Sequence, residues 1–174
     1  MLHEKMEAAI NDQINAELYS GYLYLSVSAY FKSLNLDGAA MWMLAQSQEE
    51  QIHAIKLFDY VFTRGGTVKL ATIEEPPAEW DSPLAAFEAA LQHEQYITGR
   101  INDLVALATE LKDHASAGFL QWYVDEQVEE EESVGGVVEK LKLVSEAPGG
   151  LAEMDRELGT RPIPPSPFAV PACE

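Results

Sequence analysis

Residues 65–82 read GGTVKLATIEEPPAEWDS, and this segment decides the topology of the chain. It lies between two long stretches whose apolar residues recur every three to four positions, and it lacks that pattern itself. A helix of about 27 residues is roughly 40 Å long, whereas 16 to 18 extended residues reach roughly 55 Å. The segment is therefore long enough to run from one end of a helical bundle to the other.

The rest of the chain has the apolar spacing of α-helices. Four stretches carry it, and they cover residues 3–32, 38–64, 83–111 and 114–145. Ser82 or Asp81 can cap the third helix, with Pro83 in its first turn, and a shorter fifth helix is expected over 151–158. Short joins make the first and second helices, and the third and fourth, antiparallel hairpins. The predicted fold is all-α: a four-helix bundle with one long crossover connection and a short fifth C-terminal helix.

The C-terminal segment has a different composition. TRPIPPSPFAVPACE holds five prolines in fifteen residues, which is incompatible with regular structure. We predict one domain over 1–158 and an extended or disordered Pro-rich tail over 159–174, to which no role is assigned. The single cysteine, Cys173, lies in this tail, so no intramolecular disulfide can form.

Net charge limits the classes of partner. Eleven Lys and Arg against 29 Asp and Glu give a charge of -18 over 174 residues, which repels nucleic acid and anionic lipid and attracts cations. No apolar run approaches the roughly 20 residues of a membrane span. We therefore expect no nucleic-acid or membrane partner, and, with one cysteine, a cytoplasmic protein.

Acidic residues interrupt the apolar face of every long helix. Placed at 100° per residue, Glu17, Glu50, Glu94 and the pair Glu126 and Glu130 all fall among apolar side chains. Glu17 and Glu50 are 33 positions apart across the first hairpin, and Glu94 and Gln127 are 33 apart across the second. The hairpins thus share one design, and docking them brings the polar groups to one level of the core.

Such a cluster requires compensation. Buried carboxylates are costly and repel one another unless paired, and Arg100, Lys56 and Lys142 fall on other faces or at other levels. A metal cation is the remaining partner. Carboxylates with one histidine, His53, suit iron, manganese or zinc, and the excess of carboxylates favours a two-metal site. The other histidines, His3, His93 and His114, are predicted to lie at the surface.

The motifs NAELYSGYLYLS, EEQIHA, RGG, EWDSPLAAFEAALQHE and FLQWYVDEQVEEE resemble ferritins of the bacterial and archaeal non-haem type over residues 1 to about 158. The resemblance implies a cage of 24 subunits that stores iron. Each subunit would oxidise Fe(II) with O₂ or H₂O₂ at a di-iron centre, and ferric mineral would grow in the hollow.

The resemblance also implies roles for individual residues. Glu17, Glu50 and His53 match the first iron position, and the second matches Glu50, Glu94, Gln127 and Glu130, with Glu50 bridging. A nearby third iron position matches Glu49, Glu126, Glu129 and Glu130. Tyr24 matches a tyrosine beside the centre, a candidate electron donor.

Two departures from relatives bear on the class of protein. The second hairpin carries Gln127-x-x-Glu130 where permanent di-iron proteins carry Glu-x-x-His, which favours iron that passes through. Gln51 stands where haem-binding relatives have methionine, so we expect no haem. The alternatives are a carboxylate-bridged di-metal oxidase or oxygenase that retains its metals and acts on an organic substrate, and a metal-free bundle of cytokine type, which leaves the core acids unexplained.

Overall fold

The computed structural model describes residues 1–144, 147–165 and 167. Within these residues the only regular secondary structure is α-helix, and the predicted fold is confirmed. The helices are α1 (Glu4–Ser33), α2 (Asp37–Thr63), α3 (Pro83–Glu110), α4 (His114–Val144) and α5 (Gly150–Leu158). Cys173 and half of the predicted tail, residues 166 and 168–174, lie outside the described residues.

The two hairpins turn sharply. Asn35 and Lys112 adopt positive φ angles of 58° and 56° in the turns between α1 and α2 and between α3 and α4. This left-handed conformation ends each helix within two or three residues. At the start of α3 the Ser82 side chain accepts a hydrogen bond from the Ala85 backbone N–H, as the capping prediction requires.

The segment between α2 and α3 is neither helix nor strand and runs along α1. Asn11, near the start of α1, donates to the Thr67 carbonyl at 3.0 Å and accepts from the Lys69 N–H at 2.6 Å. Ser26, further along α1, donates to the Pro77 carbonyl at 2.6 Å. The segment therefore follows the bundle lengthwise, which confirms the long crossover.

A polar layer divides the core into two apolar clusters. One cluster, around Met6, Ile10 and Leu57, lies toward the start of α1, and the other, around Phe31 and Phe87, lies toward its end. Between them the buried polar side chains are Gln13, Glu17, Gln46, Glu50, His53, Glu94, Gln127 and Glu130. The bundle is thus held together above and below this layer.

Helix α5 docks on the start of α2. Leu36, at the N-cap of α2, has no side-chain acceptor, and Asp155 of α5 accepts the Ala39 N–H at 2.8 Å in its place. Gly38 permits this approach, because a Cβ there would lie 1.7 Å from the Asp155 carbonyl oxygen. In the described part of the chain, no helix has the length and apolar character needed to cross a membrane.

Candidate metal centre

Three side chains of the first hairpin meet in the polar layer. Glu17, Glu50 and His53 are each no more than 3% exposed, and one ligand atom of each lies within 4.8 Å of the others. Residues 50 and 53 share a face of α2 because three positions span nearly one helical turn. The trio is the grouping that the family resemblance implies for the first iron position.

The trio keeps two oxygen atoms without partners. Glu17 Oε1 accepts from the Gln13 amide at 2.9 Å, but Glu17 Oε2 and Glu50 Oε2 are buried without a hydrogen-bond donor. An unsatisfied buried acceptor is costly, and a carboxylate more so. The two oxygens are therefore arranged to receive a cation.

Burial and neighbouring charges favour protonation of this cluster when no metal is bound. Burial, followed by the charge of Glu94, raises the pKa of Glu50 well above its usual range. Burial lowers the pKa of His53, but the adjacent carboxylates of Glu126 and Glu50 outweigh burial and hold the pKa well above the ordinary value. Since neutral imidazole and carboxylate are the metal-binding forms, metal binding here must release protons.

The second hairpin contributes a further carboxylate at the same level. Glu94 is fully buried, and it accepts hydrogen bonds from the Tyr24 hydroxyl and, at 3.2 Å, from the Gln127 amide. Burial, then the charge of Glu130, raises the pKa of Glu94 to about 7. The contact between Glu94 and Gln127 agrees with the level expected from their spacing of 33 positions.

His53 connects the trio to a second group of candidate ligands. Its Nδ1 lies 3.5 Å from Glu50, and its Nε2 lies 3.7 Å from Glu126. His53, Glu126 and Glu130 again offer atoms within 4.8 Å of one another. This second grouping was not predicted, because the resemblance implied that His53 binds at the first position alone.

The remaining predicted ligands lie further out. Glu49 is partly buried on α2, and Glu129 is exposed on α4. Neither belongs to the two groups of candidate ligands in the described part of the chain. We call Glu49, Glu126, Glu129 and Glu130 the outer carboxylates.

Arginines reach the cluster through glutamines. Arg100 Nε donates to Gln13 at 2.8 Å, and Gln13 donates to Glu17. Arg100 was predicted to lie on another face or at another level than the acids, and it reaches Glu17 only through the Gln13 amide. Gln13 precedes Glu17 by four positions, and this spacing could have revealed the pairing.

A second relay starts from residues beyond α5. Arg161 Nη1 donates to the Gln46 side-chain oxygen, and the Gln46 amide donates to Glu130 at 2.7 Å. Arg161 Nη2 also donates to Glu49 at 2.6 Å. Arg161 belongs to the Pro-rich tail, for which no role was predicted, and no local pattern indicates its contact with Gln46, 115 positions away.

The surface prediction is wrong for one histidine. His3 and His114 are exposed, but His93 is partly buried, with Nε2 2.7 Å from the Ser20 hydroxyl. Burial lowers the pKa of His93 to about 4. Its ring packs against Tyr24, with centroids 6.0 Å apart, because residue 93 points between α1 and α3.

Comparison with known proteins gives a consistent result. A family model described as a ferritin-like domain matches residues 7–144. A bacterial non-heme ferritin of Bacteroides fragilis is 43% identical over 161 residues, which cover 92% of this chain and all of that protein. One of Escherichia coli O6:H1 is 39% identical over 160 residues, covering 92% of this chain and 97% of that protein.

Solved structures agree. An engineered closed form of the Archaeoglobus fulgidus ferritin has a TM-score of 0.93 and 54% identity, covering 94% of this chain and 100% of that one. An open pore ferritin from the same archaeon has a TM-score of 0.92 and 55% identity, covering 93% and 100%.

Proposed function

This chain belongs to the ferritin-like family of iron-storing ferroxidases, and we propose that it oxidises Fe(II) in the polar layer at a di-iron centre. Glu17, Glu50 and His53 hold the first iron. Glu50 bridges to a second iron, which is held by Glu94, Gln127 and Glu130. Iron is the substrate here, and it moves on as Fe(III).

The observation that carries the proposal is the pair of buried oxygens without donors, Glu17 Oε2 and Glu50 Oε2. Both belong to a trio whose ligand atoms lie within 4.8 Å of one another, which suits a single metal ion. Anionic oxygen ligands stabilise Fe(III) more than Fe(II), because the ion of higher charge gains more from them. The site therefore favours loss of an electron from each iron.

Two irons side by side account for the reaction with oxygen. Each Fe(II) gives up one electron, and the two electrons with two protons reduce O₂ to H₂O₂. These protons come from solvent, because Glu50, Glu94 and His53 give up their own protons when they bind the irons. Peroxide can serve as an oxidant in the same way.

The outer carboxylates form a third iron position on the route from the pair to the cage interior. Glu126 and Glu130 share His53 with the buried trio, so an ion can pass between neighbouring ligand sets. Tyr24 hydrogen-bonds to Glu94 and is the candidate electron donor beside the centre. Its pKa is raised well above the usual range by burial and then by Glu94, so it stays protonated.

Subunits assemble into a cage, for which we propose 24 copies in the cytoplasm. Tyr22 and Leu25 are 51% and 47% exposed, and they line a surface groove of about 440 Å³ that is largely apolar. Large apolar side chains grouped on one face favour contact with another subunit. A monomer at physiological salt, measured by light scattering, would contradict assembly.

One experiment tests the site. Fe(II) is added to metal-free protein without oxygen, air is admitted, and ferric absorbance is followed beside the mass from size-exclusion chromatography. Glu50→Gln, which keeps the side-chain volume, should abolish fast oxidation while the assembled mass is kept. Glu129→Ala should leave the first sub-stoichiometric oxidation fast and slow the later ones. Fast oxidation by Glu50→Gln would refute the site.

A further inference from the structure

The guanidinium of Arg161 is held at the outer carboxylates by three contacts. It donates to Glu49 at 2.6 Å and to the Gln46 amide oxygen, and it lies 4.5 Å from the centroid of the Trp42 ring. The side chains of Arg161 and Glu49 are only 22% and 26% exposed. Partial burial makes such an ion pair less sensitive to salt than a surface pair.

Helix α5 determines this position. Asp155 caps the start of α2, and the Gly159 and Arg161 N–H groups continue the turn after α5 by bonding to the carbonyls of Asp155 and Leu158. Gly159 also approaches Gly38, to whose Cα a Cβ on Gly159 would come within 3.2 Å. Because Arg161 follows directly after the docked helix α5, the docking of α5 places Arg161 beside α2.

The two parts of the site differ in the state of their acceptors. Glu17 and Glu50 each keep a buried oxygen with no donor. Glu49, in contrast, accepts directly from the Arg161 guanidinium, whereas Arg100 reaches Glu17 only through the Gln13 amide. The buried trio is thus open to a metal, whereas the outer position already holds a positive charge supplied by the chain.

We propose that Arg161 is a built-in counter-cation of the outer carboxylates, which a metal ion has to displace from Glu49 before the outer position fills. The inference rests on the proposed function of these carboxylates. Displacement is an exchange of one cation for another and needs no electron transfer. Its consequence is an order of filling, with the buried pair first and the outer position later and more weakly.

Calorimetric titration of the metal-free full-length protein with Zn(II), a redox-inert probe, tests the proposal. The binding step that Glu49→Gln removes identifies the outer position. Arg161→Gln should tighten that step about fivefold or more, the size of a typical coupling between sites, and leave the earlier steps within about twofold. Arg156→Gln, which removes an exposed arginine of α5, is the matched control and should leave every step within about twofold.

Arg161→Lys keeps the charge but loses the two-pronged contact, so it should tighten the outer step less than Arg161→Gln does. If Arg161→Gln fails to assemble, Arg161→Lys still tests the proposal. Zn(II) binding at the outer position that is no tighter in Arg161→Lys than in the parent would then overturn it. An outer step that is unchanged or weaker in Arg161→Gln, with the earlier steps present, overturns the role of Arg161 alone. Absence of the earlier steps in the parent protein would overturn the proposed function as well.

Discussion

Neutralising Glu94 should make the metal-free protein more stable at neutral and alkaline pH, but not at pH 4.5. Glu94→Gln keeps the volume of a side chain that is fully buried. The oxygen of the introduced amide can still accept from Tyr24, but its nitrogen faces the Gln127 amide nitrogen, which also donates to the Glu94 backbone carbonyl and to Thr98, so one hydrogen bond is lost. The main change is loss of an ionisable group.

The size of the effect follows from the raised pKa of Glu94. A rise from 4.5 to about 7 corresponds to about 3 kcal/mol at about 1.4 kcal/mol per pKa unit. The folded pKa lies above the unfolded one, so the folded state binds more protons between them, and stability falls as pH rises through that window. Above pH 7 the folded parent carries the whole cost.

Imperfect hydrogen bonding in the variant should cost about 1 kcal/mol. Glu94→Gln should therefore be more stable than the parent by about 2 kcal/mol at pH 8, and less stable by about 1 kcal/mol at pH 4.5. The change of sign between the two pH values distinguishes relief of a buried charge from a general improvement in packing.

The assay is guanidinium unfolding of metal-free protein at both pH values, with the oligomeric mass checked under each condition. Asp103→Asn is the matched control, since it neutralises an exposed acid on α3, and its stability relative to the parent should hardly depend on pH. Zn(II) should raise the melting temperature of Glu94→Gln less than that of the parent, because one ligand is weakened. A difference between Glu94→Gln and the parent that is the same at both pH values would refute the reasoning.

Three further predictions concern single contacts. Gly38→Ala should lower the free energy of unfolding by about 1–3 kcal/mol through overpacking against α5 and speed hydrogen exchange there, whereas Gly118→Ala, with open space around it, should not destabilise. Asp113→Asn should lower the free energy of unfolding by about 1–3 kcal/mol at pH 7, because Asp113 accepts two hydrogen bonds from Arg64. The folded-state pKa of Asp113 is lowered, so the stability that the parent gains from the ionised carboxylate should be lost as pH falls below about 3.8. A difference in stability that is the same at pH 3 as at pH 7 would contradict this role of Asp113. Tyr24→Phe removes a donor to a carboxylate, so calorimetry should detect a larger loss of Zn(II) affinity at pH 6 than at pH 8, and equal losses would count against this role.

Much of the fold could be predicted because it depends on local pattern and on chain length. The bounds of α1 to α4 agree with the apolar periodicity to within about one residue, since burying one face of a helix requires that spacing over its whole length. The crossover follows from the reach of residues 65–82, which is a covalent limit. The common level of Glu94 and Gln127 follows from equal numbers of residues on either side of a short turn.

Packing alone decided what surrounds the acids. The sequence by itself determined that four helices carry carboxylates at one level, and that a cation must balance them. It did not determine that His53 lies between Glu50 and Glu126, that His93 turns inward, or that Arg161 reaches Glu49 across 112 positions. Such contacts join side chains that are remote along the chain, and their distances depend on how the hairpins and α5 dock, which no local periodicity encodes.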